Sequence, residues 1–186
     1  MTFYETIIVG FTRKIAKRIY DMTNIYQFLD DNEIEFERFD HPPVYTVNDV
    51  KRLASDLPGV KTKNLFLRDK KGQRHFLVSV PAEKRVDLKR LAEALESTKL
   101  SFGSPNRLKK YLGIDPGAVS LLAIINDSEG AVEVFVDKET WEADAFQYHP
   151  LVNTSTLTIK KDALKRFLEK EGHIYRVITV PSAIQA

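Results

Sequence analysis

"NLFLRDKKGQRHFLVSV", residues 64–80, decides how the chain folds. Two apolar-rich runs flank Asp69-Lys70-Lys71-Gly72, a polar group ending in glycine, so the stretch forms a β-hairpin rather than a helix. On its C-terminal side "VDLKRLAEALE" (86–96) has helical spacing. "SPNRLKKYLG" (104–113) predicts a helix with Ser104 at the N-cap, Pro105 at the first helical position and Gly113 at the end. "LLAIIN", the turn "DSEG" and "AVEVFVD" (121–137) read as a second hairpin. "STLTI" (155–159) reads as a strand, "KKDALKRFLEKEG" (160–172) as a helix ending at Gly172, and "IYRVITV" (174–180) as a last strand.

Upstream, "TVNDVKRLASDLPG" (46–59) predicts a helix capped by Thr46 and stopped by Pro58-Gly59. Before it, "IEFERFD" (34–40) alternates as a strand with Ile34 and Phe36 inward, and the two prolines of "HPPVY" break that strand. "TNIYQFLDDNEI" (23–34) predicts a helix capped by Thr23 with Ile25, Phe28 and Leu29 on one face, and residues 12–20 a short amphipathic helix. Strand pairs mixed with helices, without a βαβ rhythm, predict an α+β fold: one domain, residues 23–186, with a central mixed, largely antiparallel sheet flanked by helices. Residues 1–22 form an N-terminal extension. Phe66, Leu67, Phe76, Leu122, Ile124, Val134 and Phe135 are the expected core.

The 186 residues, 43% hydrophobic and 29% charged, suffice for one domain with a sizeable core. With no cysteine there is no disulfide framework, thiolate nucleophile or cysteine zinc site. The net charge is only +2, which excludes the strong positive field of a DNA-coating protein. Basic residues nonetheless cluster: Arg13 to Arg18, Lys61-Lys63, Lys70 to Arg74, Lys84 to Arg90, Arg107 to Lys110 and Lys160 to Arg166. Each can be a solvated face; several converging would suit a phosphate backbone. The opening segment has the wrong charge order and length for a signal peptide, and no stretch has the ~20 apolar residues of a membrane span. A cytoplasmic protein is expected.

Phosphate-loop, dinucleotide-binding, zinc-protease and serine-hydrolase motifs are absent, and the four histidines are dispersed, so no metal site or cofactor is expected. Three loops remain, "DHPPVYT", "GIDPGAVS" and "FQYHPLVNTST", with the lysine of "KTKNLF". Taken singly, each could only shape the backbone. Together they offer glycine-turn N–H groups for an oxygen, a lysine for phosphate and, in His149, a donor or acceptor near neutral pH.

Those segments, in the order "HPPVYTV", "KTKNLFLRDKKG", "LSFGSPNRLKKYLGIDPGAVS", "AIINDSEG", "VFVD" and "FQYHPLVNTSTLTI", resemble the YbaK/ProX family of aminoacyl-tRNA deacylases, in particular its freestanding alanyl-tRNA(Pro) editing branch. The likeness covers roughly residues 23–180. It implies hydrolysis of alanine wrongly attached to tRNA(Pro), with a pocket that admits alanine and rejects proline, and a water attack that needs no metal. A prolyl-tRNA synthetase is a plausible partner by the same resemblance. It implies that Lys63 holds the terminal adenosine or its phosphate, that His149 lines the acyl pocket and positions the alanyl group or water, and that Gly117 offers backbone N–H. Asn64, Ala118, Ser120 and His41 would contact substrate. The family's Gly-x-x-x-Pro loop falls on Gly117 to Leu121, where leucine replaces the proline. That departure keeps other small aminoacyl esters, of serine or cysteine, open as substrates, and a non-catalytic tRNA-binding module is the alternative of a different class.

Overall fold

The computed structural model describes residues 25–43 and 57–183. The expected helix at 12–20, the Thr23 cap and most of the 46–59 helix lie outside the described residues. Within them the elements run α1 (Ile25–Asp31), β1 (Glu37–Asp40), β2 (Val60–Arg68), β3 (His75–Pro81), α2 (Leu88–Ala94), β4 (Ser101–Phe102) and α3 (Pro105–Leu112). A 3-10 helix (Leu121–Asn126) follows, then β5 (Val132–Asp137), α4 (Lys138–Trp141), β6 (Ala145–Tyr148), β7 (Ser155–Lys160), α5 (Lys161–Glu171) and β8 (Tyr175–Ile178).

The hairpin forms as the sequence dictates. Asp69 accepts from Gly72 N through its carbonyl and from Gln73 N and Arg74 N through its carboxylate, while Gly72 takes the left-handed φ of +69° that a side chain would resist. A Cβ on Gly72 would also lie 2.5 Å from the Arg107 guanidinium. The pair β2–β3 centres a sheet of order β1-β7-β6-β2-β3-β5-β8, with β4 on part of β2. The pairs β1–β7, β2–β3, β2–β4 and β6–β7 are antiparallel, and β2–β6, β3–β5 and β5–β8 are parallel. The sheet is thus mixed, as the α+β reading requires.

β3 is buried on both faces. Phe76, Val78 and Val80 pack with Leu91, Ala92 and Leu95 of the α2 region, whereas Leu77 turns to the larger cluster built from α1, α3, the 3-10 helix, β7 and α5. All seven expected core residues are buried, none more than 3% exposed. At ~1.5–3 kcal/mol for each large side chain removed from water, these clusters supply most of the folding drive. Helix α3 ends as expected: Ser104 Oγ accepts from Arg107 N and Gly113 closes the helix at φ +65°.

The second hairpin does not form. "LLAIIN" is a 3-10 helix whose start is capped by Ser120 Oγ accepting from Leu122 N, and its Leu121 to Ile124 are fully buried. β5 has no edge left for a hairpin partner, because β3 takes one side and β8 the other. β4, α4 and β6 are elements the sequence patterning did not suggest. Of these β6 matters most, since it delivers His149.

Candidate active site

The site grows from a gap in the sheet. On one edge of β2 the ladder with β6 covers Val60 and Lys61, and that with β4 covers Leu67 and Arg68. Between them neither strand pairs with β2. Phe66 O accepts from Gly103 N on this edge, so by strand alternation the peptide groups of Asn64 face it too. The loop before the 3-10 helix comes to meet it, and Asn64 Nδ2 donates to Val119 O at 3.4 Å. A carbonyl can only accept, which fixes the amide orientation and turns Asn64 Oδ1 away. That oxygen is buried and has no hydrogen-bond partner among the described residues.

Gly117, in the same loop, is exposed at φ +93° with open space where a Cβ would project. The neighbouring Ala118 is buried and its N–H is taken by Asp115 O at 3.2 Å. Ser120 is fully buried, and its Oγ accepts from Leu122 N at the helix cap. Leu121, where the resembled family has proline, points wholly into the core.

His149 follows β6 directly. Its Nδ1 lies 3.0 Å from Ser155 O, an acceptor only, so Nδ1 carries the hydrogen and Nε2 keeps a lone pair. Burial pushes the His149 pKa below its ordinary value; the Ser155 hydrogen bond opposes this and His41 adds to it. The imidazole is therefore neutral at neutral pH. Leu151, two residues on, holds a left-handed φ of +65°, local strain that tightens the His149-Pro150-Leu151 turn. His41, at the end of β1, places its ring centroid 6.2 Å from that of His149. Its Nδ1 donates to Pro42 O and its Nε2 accepts from Thr156 Oγ1, both at 2.9 Å.

Tyr148 immediately precedes His149 and is buried. Its hydroxyl reaches Ser79 Oγ at 3.2 Å, and Ser79 is the ladder partner of Asn64. Tyr148 of β6 thus reaches across to β3. Burial pushes the phenol pKa well up, so it stays protonated. Gln147, the residue before, donates from Nε2 to the carbonyls of Leu57, Pro58 and Gly59 and pins the entry of β2 to β6. The sequence reading missed Tyr148, Ser79 and Gln147. Tyr148 precedes the histidine in the loop already singled out, but nothing in a linear chain pairs it with Ser79.

Lys63 and Asn64 are consecutive in β2, so their side chains leave opposite faces of the strand. Lys63 turns toward Glu83 and Arg85, which line a cleft with Lys84 and Ser182. Burial pushes its pKa below the usual ammonium value, Glu83 opposes this and Arg85 adds to it. One member of each of three other basic clusters is engaged. Arg74 pairs with Glu133 at 2.7 Å, Lys84 with the buried Asp137 at 2.6 Å, and Arg107 donates to His75 Nε2 at 2.7 Å. Among the described residues no group of three or more acidic or histidine side chains could hold a metal ion, and no helix is long and apolar enough to cross a membrane.

Residues 41–167 match the aminoacyl-tRNA editing domain. The chain is similar to the prolyl-tRNA editing protein ProX of Acetoanaerobium sticklandii, 36% identical over 150 residues that take in 81% of this chain and 92% of that protein. It is also similar to the prolyl-tRNA synthetase associated domain-containing protein 1 of Danio rerio, 36% identical over 149 residues, 79% of this chain and 80% of the other. In fold it resembles a crystal structure described as a "putative trans-editing enzyme for prolyl tRNA synthetase". The TM-score is 0.64, with 14% identity, and the match covers 87% of this chain and 97% of that one.

Proposed function

The chain belongs to the aminoacyl-tRNA editing domain family, of the YbaK/ProX type, and from that premise we propose that it is a freestanding deacylase that removes alanine from tRNA(Pro). The membership itself supports an aminoacyl-tRNA deacylase that edits mischarged tRNA(Pro); alanine as the amino acid removed is the finer part of the proposal. The observation that carries it is the neutral His149, buried beside His41, with its Nε2 lone pair unspent by Ser155.

The reaction is hydrolysis of an ester. His149 Nε2 accepts a hydrogen bond from a water, whose oxygen attacks the alanyl carbonyl carbon. The oxyanion that forms is stabilised by the backbone N–H of Gly117. As the water attacks, its proton passes to His149 Nε2; when the tetrahedral intermediate collapses, the bond to the terminal ribose oxygen breaks and that oxygen takes this proton back from His149, giving free alanine and tRNA. On the other face of β2, Lys63 with Arg85 supplies positive charge for the phosphates near the 3′ end. The cell needs such a step because a synthetase pocket that fits proline cannot exclude the smaller alanine; differences of this size give only ~1–3 kcal/mol of selectivity. Leu121 lies in the core and does not line the gap, so its replacement of proline does not by itself argue for a different acyl group. A dock on prolyl-tRNA synthetase is the partner that the relatives' names suggest, and co-sedimentation with that synthetase tests it. The activity is tested by following ester loss from Ala-tRNA(Pro): hydrolysis at catalytic enzyme concentration supports the reading, and an intact ester at enzyme above substrate rejects it.

A further inference from the structure

We propose that the Asn64 side-chain oxygen is the acceptor for the α-ammonium group of the aminoacyl ester; this rests on the deacylase reading above. Three observations converge on it. Asn64 Oδ1 is buried without a hydrogen-bond partner among the described residues, although its amide is oriented by the bond from Nδ2 to Val119 O. A buried acceptor left unfilled is unfavourable and marks a place where a donor belongs. Ser79, directly across from Asn64, and Tyr148 are hydrogen-bonded to each other, and neither hydroxyl bonds to Oδ1. The oxygen also lies at the edge of β2 where neither β4 nor β6 pairs, beside the loop that carries the open Gly117.

The chemistry selects an N–H donor. The substrate end offers an ammonium, ribose hydroxyls and the ester, and the ammonium is the strongest donor among them. A carbonyl oxygen holds it without the desolvation cost of a buried carboxylate. The site so built would reject an ester whose acyl group has no nitrogen, because Asn64 Oδ1 would then stay unfilled.

The experiment compares alanyl-tRNA(Pro) with propionyl-tRNA(Pro), which keeps the methyl-bearing chain and lacks the ammonium, using the full-length protein and its Asn64→Ala and Asn64→Asp variants. The expected result is a fall in kcat/KM of about 10- to 100-fold for the alanyl ester in Asn64→Ala, as for loss of a hydrogen bond to a charged group. The propionyl ester should be cleaved slowly by wild type and no more slowly by the variant, and matching circular dichroism and urea unfolding show that the variant is folded. Asn64→Asp, which keeps an acceptor, should retain the preference for the alanyl ester. An equal loss on both esters would overturn the assignment and place Asn64 at the tRNA end or in the scaffold. Wild-type cleavage of both esters with equal efficiency would also overturn it while leaving the deacylase reading intact. Cleavage of neither would overturn the deacylase reading and the assignment with it.

Discussion

Replacing His149 separates its two nitrogens, because they do different things. Nδ1–H serves Ser155 O at 3.0 Å, and Ser155 is buried, so His149→Ala leaves that carbonyl unpaired at a cost of ~1–3 kcal/mol. Asparagine places its amide nitrogen near the position of Nδ1 and can keep this bond. His149→Asn should therefore lose no more than about 1 kcal/mol of stability in urea unfolding, the part due to the smaller side chain. What it lacks is any acceptor in place of Nε2. If Nε2 holds the attacking water, kcat/KM for Ala-tRNA(Pro) falls by ~10²-fold in His149→Asn, at the lower end for a positioned proton acceptor. His149→Gln, whose longer chain returns an oxygen toward the Nε2 position, should recover part of that loss. Single-turnover hydrolysis of labelled ester gives the rates. Wild-type kcat/KM in a folded His149→Asn protein would refute the role given to Nε2.

Five further outcomes follow from the same geometry. Activity depends on neutral His149, whose pKa is lowered, so log kcat/KM should stay flat down to pH 6.5 and break only below it; a break above 6.5 would contradict the burial argument. His75 is also lowered, by burial and then by Arg107. Both histidines take up protons more readily unfolded than folded, so stability is full above pH 6.5 and is lost as pH falls toward their folded values. The slope in urea melts is at most ~1.4 kcal/mol per pH unit for each. Gly59→Ala should cost ~1–3 kcal/mol and lower activity as well, since Gly59 has φ +89° and an added Cβ would lie 2.9 Å from the Ala145 carbonyl group, in the strand that carries His149. Lys63→Ala should raise KM with little change in kcat and should flatten the salt dependence of KM, as expected if the lysine meets phosphate on the face away from Asn64. Leu121→Pro should destabilise by ~2–4 kcal/mol through lost core packing, because the extended Ser120 already accepts a following proline; unchanged alanine selectivity in that variant would agree with the buried position of Leu121.

What could be read from the chain was whatever local chemistry decides. Asp69 to Gly72, and Ser104-Pro105 with Gly113, specify a turn and a helix through side-chain caps and a left-handed glycine, and both form. "LLAIIN" was misread because a short, wholly buried apolar run has no period to distinguish strand from helix, and only the occupied edges of β5 exclude a hairpin. In the site, His149 was visible beside its proline, and its approach to His41 was not, as the two are far apart in sequence and 6.2 Å apart in space. The partner that sets the His149 tautomer is a backbone carbonyl, which leaves no trace in residue types. Ser120 was marked as a substrate contact because it sits in the right loop; its burial and its cap to Leu122 N emerge only with the 3-10 helix. Lys63 and Asn64 have separate expected roles although adjacent in the chain, and strand alternation sends their side chains to opposite faces of β2.

The central claim is selective editing of alanine on tRNA(Pro). Ala-tRNA(Pro), Pro-tRNA(Pro) and Ala-tRNA(Ala), each labelled in the aminoacyl group, should be incubated with the purified protein and ester loss followed. The account predicts rapid ester loss from Ala-tRNA(Pro) alone, and an intact ester on all three at enzyme concentrations above substrate would contradict it.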